Sequence, residues 1–115
     1  MNWINLESLA QLEELAQKPL ALIFKHSTRC SISSASLDRL QRKWNNEEMS
    51  AVPTYFLDLI RYRDISNQIA EKFGVEHQSP QVLLIKDGKC VYHNSHYGIA
   101  YDTIKAVVNQ VQAAS

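Results

Sequence analysis

The run Pro19-Leu20-Ala21-Leu22-Ile23-Phe24 contains no polar residue that could turn toward water. It lacks the alternation of a strand with one wet face, so it predicts a short strand buried on both faces in a parallel arrangement. Such a strand has to be covered above and below, and the rest of the chain must supply both layers.

The flanking segments do so. Leu6, Leu9, Leu12, Leu15 and Ala16 form an apolar stripe that Pro19 ends, which predicts a first helix with Asn5 as its cap and Glu7 near its positive end. After the polar break His26-Ser27-Thr28-Arg29, a helical period resumes with Ile32, Leu37, Leu40 and Trp44 and stops at Asn45-Asn46. Pro53 to Leu59 reads as a second strand. Ile65, Ile69, Ala70 and Phe73 then mark a third helix, which Gly74 closes. Gln81 to Lys86 reads as a third strand, and Asp87-Gly88 is a two-residue hairpin signal leading into Lys89 to His93, an antiparallel pair. Ile104, Val107, Val108 and Val111 give a C-terminal amphipathic helix. The order α, β-α-β, α, β-β-α is that of the thioredoxin fold, an α/β architecture with a central four-stranded mixed sheet and helices on both faces. No repeat or linker interrupts it, so residues 1–115 read as one domain.

Composition narrows the function classes. Of 115 residues, 45% are hydrophobic and 21% charged, the profile of one compact globular unit. Twelve basic and twelve acidic residues cancel, which argues against nucleic acid as a partner, because phosphate binding needs an excess of Lys and Arg. The apolar runs are far below the roughly 20 residues needed to cross a bilayer, so no membrane partner is expected. The start, Met1-Asn2-Trp3-Ile4-Asn5, has no basic region followed by an apolar stretch, so no signal peptide is expected and a cytoplasmic location is. That compartment keeps thiols reduced, so Cys30 and Cys90 are read singly and not as a structural disulfide.

Cys30 is placed at the first turn of the second helix. There, unpaired backbone N–H groups and the helix dipole favour negative charge, a setting that stabilises thiolate over thiol in general. Lys25, His26 and Arg29 precede it and can add positive potential, although Lys25 can equally face solvent. A free cysteine is often only a small buried hydrophobe. Polar Thr28, Arg29, Ser31 and Ser33 favour a surface junction and a working thiol. Ser33 stands where a C-x-x-C motif would place the resolving cysteine, and a hydroxyl forms no disulfide, so the site is monothiol.

In the expected sheet, Cys90 falls at the end away from Cys30. About five strand residues at about 3.3 Å each separate the two by roughly 15 Å, whereas a disulfide needs Cα atoms within about 7 Å. Cys90 is read as a packing residue. The same geometry brings Gln78-Ser79-Pro80 and the polar stretch His93 to Gly98 toward Cys30. The candidate substrate contacts are therefore Thr28, Arg29, Ser31, Ser33, Ser79, Pro80, Ser95 and His96. His77, His93 and His96, each taken alone, read as ordinary loop histidines. The cysteines and histidines lack paired zinc-type spacing, so no metal is expected. Tyr55, Tyr62 and Tyr92 read as packing residues.

Phe24 to Ser33 (FKHSTRCSIS), Glu76 to Val82 (EHQSPQV) and His93-Asn94-Ser95-His96 together resemble the YtxJ-like monothiol bacilliredoxins, over nearly the whole chain. The resemblance implies a thioredoxin fold in which Cys30 removes bacillithiol from S-bacillithiolated proteins. It also implies that Pro80 is a cis-proline facing the reactive cysteine, which leaves the Ser79 backbone free to pair with a bound thiol substrate. The implied partners are S-thiolated client proteins and a low-molecular-weight thiol, bacillithiol or another, acting as co-substrate with no bound cofactor. Where the family commonly has proline after the reactive cysteine, this chain has Ser31, which leaves one more N–H donor near the sulfur. Three other readings stay open at the level of sequence. They are a glutathione-dependent glutaredoxin-like protein, a non-catalytic binding module on the same fold, and an iron–sulfur carrier, though Cys30-Ser31-Ile32-Ser33 lacks the glycine-phenylalanine centre of that last group.

Overall fold

A computed structural model describes residues 1–113 of the chain. In chain order the elements are β1 (Trp3–Asn5), α1 (Leu9–Ala16), β2 (Leu20–His26), α2 (Ser31–Lys43), β3 (Thr54–Asp58), α3 (Arg63–Phe73), β4 (Gln81–Lys86), β5 (Lys89–Ser95), a 3-10 turn at His96–Gly98, and α4 (Tyr101–Ala113). The five strands form one mixed sheet in the order β1-β3-β2-β4-β5. β2 runs parallel to β3 and antiparallel to β4, and β4 and β5 form the antiparallel hairpin expected at Asp87-Gly88. Both turn residues have positive φ, 50° and 82°, the combination that lets a two-residue turn follow the twist of its strands.

Two expectations need correction. The sheet has five strands rather than four, because Trp3–Asn5 adds to β3 in parallel. Asn5 therefore belongs to a strand, and the cap of α1 is Ser8, whose hydroxyl accepts from the Gln11 N–H at 3.2 Å. Ser8-Leu9-Ala10-Gln11 has the spacing of a capping box, and Gln11 Oε1 in turn accepts from the Glu7 N–H at 2.7 Å.

β2 is buried along its entire length. Its alternate side chains go to separate cores. Ala21 and Ile23 join Leu12 and Leu15 of α1 and Ile65 and Ile69 of α3 on one face. Leu22 and Phe24 join Leu40 of α2 and Ile104 and Val108 of α4 on the other. Burying apolar area on both faces is the main stabilising term for a sheet of this kind. The same two-sided covering fixes which way the last residues of β2 point, and those residues lie next to the thiol.

Candidate active site

At the C-terminal end of β2 the apolar run gives way to Lys25 and His26, both still buried. The pleat sends them to opposite faces. His26 packs among Phe24 and Phe56, with ring centroids 6.2 and 5.4 Å away. Its Nδ1 lies 2.7 Å from Ser33 Oγ, and Ser33 Oγ also accepts from the Ser27 N–H at 3.1 Å. Burial holds His26 below its ordinary value, with the Asp58 carboxylate pulling the other way, so the ring is neutral around pH 7. Ser33, itself fully buried, thus ties the loop 27–30 to the first turn of α2.

Cys30 ends that loop. It is the N-cap of α2 and not a residue of its first turn. Its φ and ψ are −112° and 118°, its carbonyl accepts from Ser34 N–H at 3.1 Å, and its N–H donates to the Ser27 carbonyl at 3.2 Å. The thiol makes no capping hydrogen bond and is half-buried. First-turn N–H groups that no side chain caps leave the positive end of the helix open at this position. A thiol held here with a fixed backbone is suited to nucleophilic exchange at sulfur.

Lys25 does not face solvent. It is fully buried on the α1/α3 face, where Nζ donates to the Ser66 carbonyl at 3.2 Å and to His77 Nδ1 at 3.3 Å. It therefore lies on the side of the sheet opposite α2. Burial pushes it down from 10.5 to about 8.

The other side of the site comes from β4 and β5. The Ser79-Pro80 bond is cis, and Pro80 is buried directly before β4, whose Gln81 pairs with Lys25 of β2. The His96 N–H donates to the Pro80 carbonyl at 3.1 Å, and Ser95 pairs with Gln81. Ser36 of α2 donates its hydroxyl to the His96 carbonyl at 3.3 Å, and Arg39 donates to the Ile99 carbonyl at 3.3 Å. The helix that begins at Cys30, the cis-proline and the turn at His96 are therefore joined by hydrogen bonds. His96 adopts the left-handed region, with φ of 53°, which turns the chain from β5 into the 3-10 segment. His93 to Ser95, expected in a loop, continue β5 instead, because the β4 pairing extends to Gln81.

Of the candidate contacts, Thr28, Arg29 and Ser31 are exposed beside Cys30, while Ser79, Ser95 and His96 are half-buried. Ser33 has no exposed surface, and its hydroxyl is committed to Ser27 and His26. Sequence reasoning missed the buried roles of Lys25, Gln81 and Ser66. It placed His77 in a loop, without the contacts that loop makes. Ser79 Oγ is buried with no hydrogen-bond partner, a rare condition for a polar atom.

Cys90 sits opposite Ile85 at the hairpin end of the sheet, while Cys30 follows the opposite end of β2. Its thiol donates to the Tyr92 carbonyl at 3.3 Å, and burial pushes it up. Tyr55 is buried in the α1/α3 core and Tyr92 packs on the other core, while Tyr62 also donates its hydroxyl to Glu7 at 3.0 Å. Among the described residues there is no group of three or more His, Cys, Asp or Glu placed to hold a metal, and no helix is long and apolar enough to cross a membrane.

A single open thiol at the head of α2, with a cis-proline on the neighbouring strand, defines a thioredoxin-fold thiol oxidoreductase. The family model described as monothiol bacilliredoxin BrxC matches residues 4–104, and the chain belongs to that family. Solved structures agree on the fold. One described as a candidate oxidoreductase with a thioredoxin fold is 28% identical, with a TM-score of 0.79, covering 92% of this chain and 93% of the other. The thioredoxin of Trypanosoma brucei brucei is 13% identical with a TM-score of 0.73, covering 97% and 92%. The Malassezia sympodialis thioredoxin is 17% identical with a TM-score of 0.70, covering 92% and 87%.

Proposed function

We propose that this chain removes bacillithiol from S-bacillithiolated proteins through a mixed disulfide at Cys30. The Cys30 thiolate attacks the bacillithiol sulfur of the client disulfide. A new bond forms between Cys30 and that sulfur, the client's sulfur leaves as thiolate, and it takes a proton from solvent. A second bacillithiol, as thiolate, then attacks the bacillithiol sulfur of the adduct, releasing bacillithiol disulfide and restoring Cys30. The client sulfur goes from disulfide to thiol and the incoming bacillithiol from thiol to disulfide, while the first bacillithiol stays in a disulfide throughout, so the electrons balance with no bound cofactor.

One observation carries this reading. Ser33 occupies the place of a resolving thiol with its hydroxyl bonded to His26 and Ser27, and Cys90 lies at the other end of the sheet, so release of the adduct falls to a thiol from outside. Thr28, Arg29, Ser31, Ser79, Pro80, Ser95 and His96 are the proposed surroundings of the bound thiol, with the Ser79 backbone as its partner beside the cis-proline. The clients are S-thiolated proteins, and a cytoplasmic setting, where small thiols are kept reduced, suits the cycle.

The test incubates reduced protein with a bacillithiolated substrate and follows intact masses. The adduct mass should appear on Cys30, and bacillithiol should release it faster than glutathione does. No mass transfer sinks the reading. Equal or faster release by glutathione moves the chain to a glutaredoxin-like role.

A further inference from the structure

Among the described residues Lys25 is the only buried lysine or arginine, and none of the ion pairs of the structure involves it. An amine enclosed without a carboxylate is an expensive occupant for a strand position that methionine or leucine would fill. What Lys25 does with its donors is hold the chain elsewhere. Nζ reaches the Ser66 carbonyl in α3 and His77 Nδ1 in the loop before β4, and Ser66 Oγ lies 3.3 Å from the same His77 nitrogen.

The loop is held from a second side. Gln81, paired with Lys25 across the β2–β4 ladder and equally buried, donates from Nε2 to the Glu76 carbonyl at 3.0 Å, and its Oε1 accepts from the Gln78 N–H at 3.4 Å. Two facing side chains on adjacent strands thus grip three consecutive loop residues, 76, 77 and 78. The next two residues are Ser79 and Pro80, with the buried Ser79 hydroxyl left without a partner. A loop clamped this closely holds the backbone of half-buried Ser79 in place, which makes that backbone a preorganised edge for a ligand.

We infer that Lys25 is a positioning residue for thiol exchange: acting through His77, it fixes the loop that presents Ser79 and Pro80 to the thiolated client. The inference rests on the function proposed above. The contact that matters is a lone pair on His77 Nδ1 facing the Lys25 amine, so His77 carries its proton on Nε2. Lys25 spends its hydrogen bonds on Ser66 and His77, on the side of the sheet away from α2, and a small alkylating reagent that reaches Cys30 directly should not sense its loss.

Lys25→Met keeps the volume and removes the donors. His77→Ala removes the acceptor at an exposed position. His77→Asn restores an acceptor close to where Nδ1 lies. Both losses should raise KM for a bacillithiolated protein about tenfold with kcat within about twofold, and the double variant should be no worse than either single one. Alkylation of Cys30 by iodoacetamide should keep its wild-type rate, and His77→Asn should recover most of the KM. Unchanged KM in both single variants, additive losses in the double variant, or alkylation that falls in parallel overturns the inference. Amide exchange separates this outcome from failure of the parent reading. Whether or not any adduct transfers, Gln78, whose N–H is bonded to Gln81, should exchange about tenfold faster in Lys25→Met while β4 stays protected, and unchanged exchange there overturns the positioning role.

Discussion

The two ends of the sheet hold a cysteine each, and both thiols are half-buried, so exposure does not tell them apart. At the hairpin end, Cys90 sits within a strand, packs against the α1/α3 core and donates to a carbonyl two residues on. Ile85, opposite it, and Ala21, one strand further on, are buried and apolar. At the other end the same strands finish in Lys25, His26 and Gln81, and each of these buried polar side chains bonds to a loop or a helix start. Around Cys90 the side chains mainly fill space, whereas Lys25, His26 and Gln81 tie loop and helix-start residues in place. A thiol becomes a site where the backbone around it is fixed and a helix opens at it, and only Cys30 meets that condition.

The comparison breaks most readily at the sulfurs themselves. Cys30→Ser should lower adduct transfer from a bacillithiolated protein by more than about 1000-fold, since a hydroxyl at neutral pH is a far poorer nucleophile toward disulfides. Cys90→Ala should stay within about twofold of wild type in the same assay, its loss being one strand hydrogen bond and some packing. A large loss in Cys90→Ala would mean that the ends cooperate, contrary to the sheet register.

Next in size is a stability effect at Lys25. Below about pH 8 the side chain is protonated both folded and unfolded, and its burial lowers stability by a constant amount. Between about 8 and 10.5 only the unfolded chain keeps that proton, so this group makes the fold more stable as pH rises. Cys90, Tyr55 and Tyr62, all raised, act in the opposite direction at high pH, but they are shared by wild type and Lys25→Met and cancel in the difference. The stability of Lys25→Met relative to wild type should therefore fall by up to about 3 kcal/mol between about pH 7 and pH 10.5. Urea unfolding at a series of pH values measures it, and a flat difference would show that Lys25 is not enclosed as described.

How much of this was legible from the residues depends on how local each signal is. The Pro19 to Phe24 run and the Asp87-Gly88 turn carry their structures within a few residues, and both formed where expected. β1 did not announce itself. Trp3–Asn5 is too short to show alternation, and it becomes a strand only because β3, some 50 residues on, offers an edge. The cap of α1 was readable in Ser8-x-x-Gln11, yet Asn5 is an equally good capping type, and tertiary pairing decided between them. At the site, Cys30 and the cis-proline segment stood out in sequence. Lys25 and Gln81 did not, because a polar residue at a strand end reads as solvent-facing until register sets it beneath a helix and a loop.

Ser33 sharpens the contrast between filling and holding. Ser33→Ala leaves the Ser27 N–H and His26 Nδ1 without a partner in a buried place, so it should cost about 2 kcal/mol, more than a surface hydroxyl is worth. The loop 27–30 would loosen with it, and iodoacetamide should then alkylate Cys30 at a changed rate in a protein whose far end keeps wild-type amide protection. A loss below about 0.5 kcal/mol would indicate that the His26–Ser33 contact is incidental.

The smallest expected effect lies one residue past the thiol. Ser31 is exposed at the first position of α2, where the N–H needs no intrahelical acceptor and proline is well tolerated. Cys30 already has extended dihedrals, −112° and 118°, the region a following proline demands, so Ser31→Pro can be made without moving the thiol's backbone. The variant should be more stable by about 0.5 kcal/mol, because proline restricts the unfolded chain. Its alkylation rate then isolates one question. If the Ser31 N–H is a donor to the sulfur, the rate at fixed pH should shift by about twofold or more, since losing that hydrogen bond changes how readily the sulfur attacks. If the rate is unchanged, the reactivity of Cys30 rests on the rest of the α2 terminus and on the Ser33-held loop, and the holding end of the sheet acts through backbone that no substitution at residue 31 disturbs.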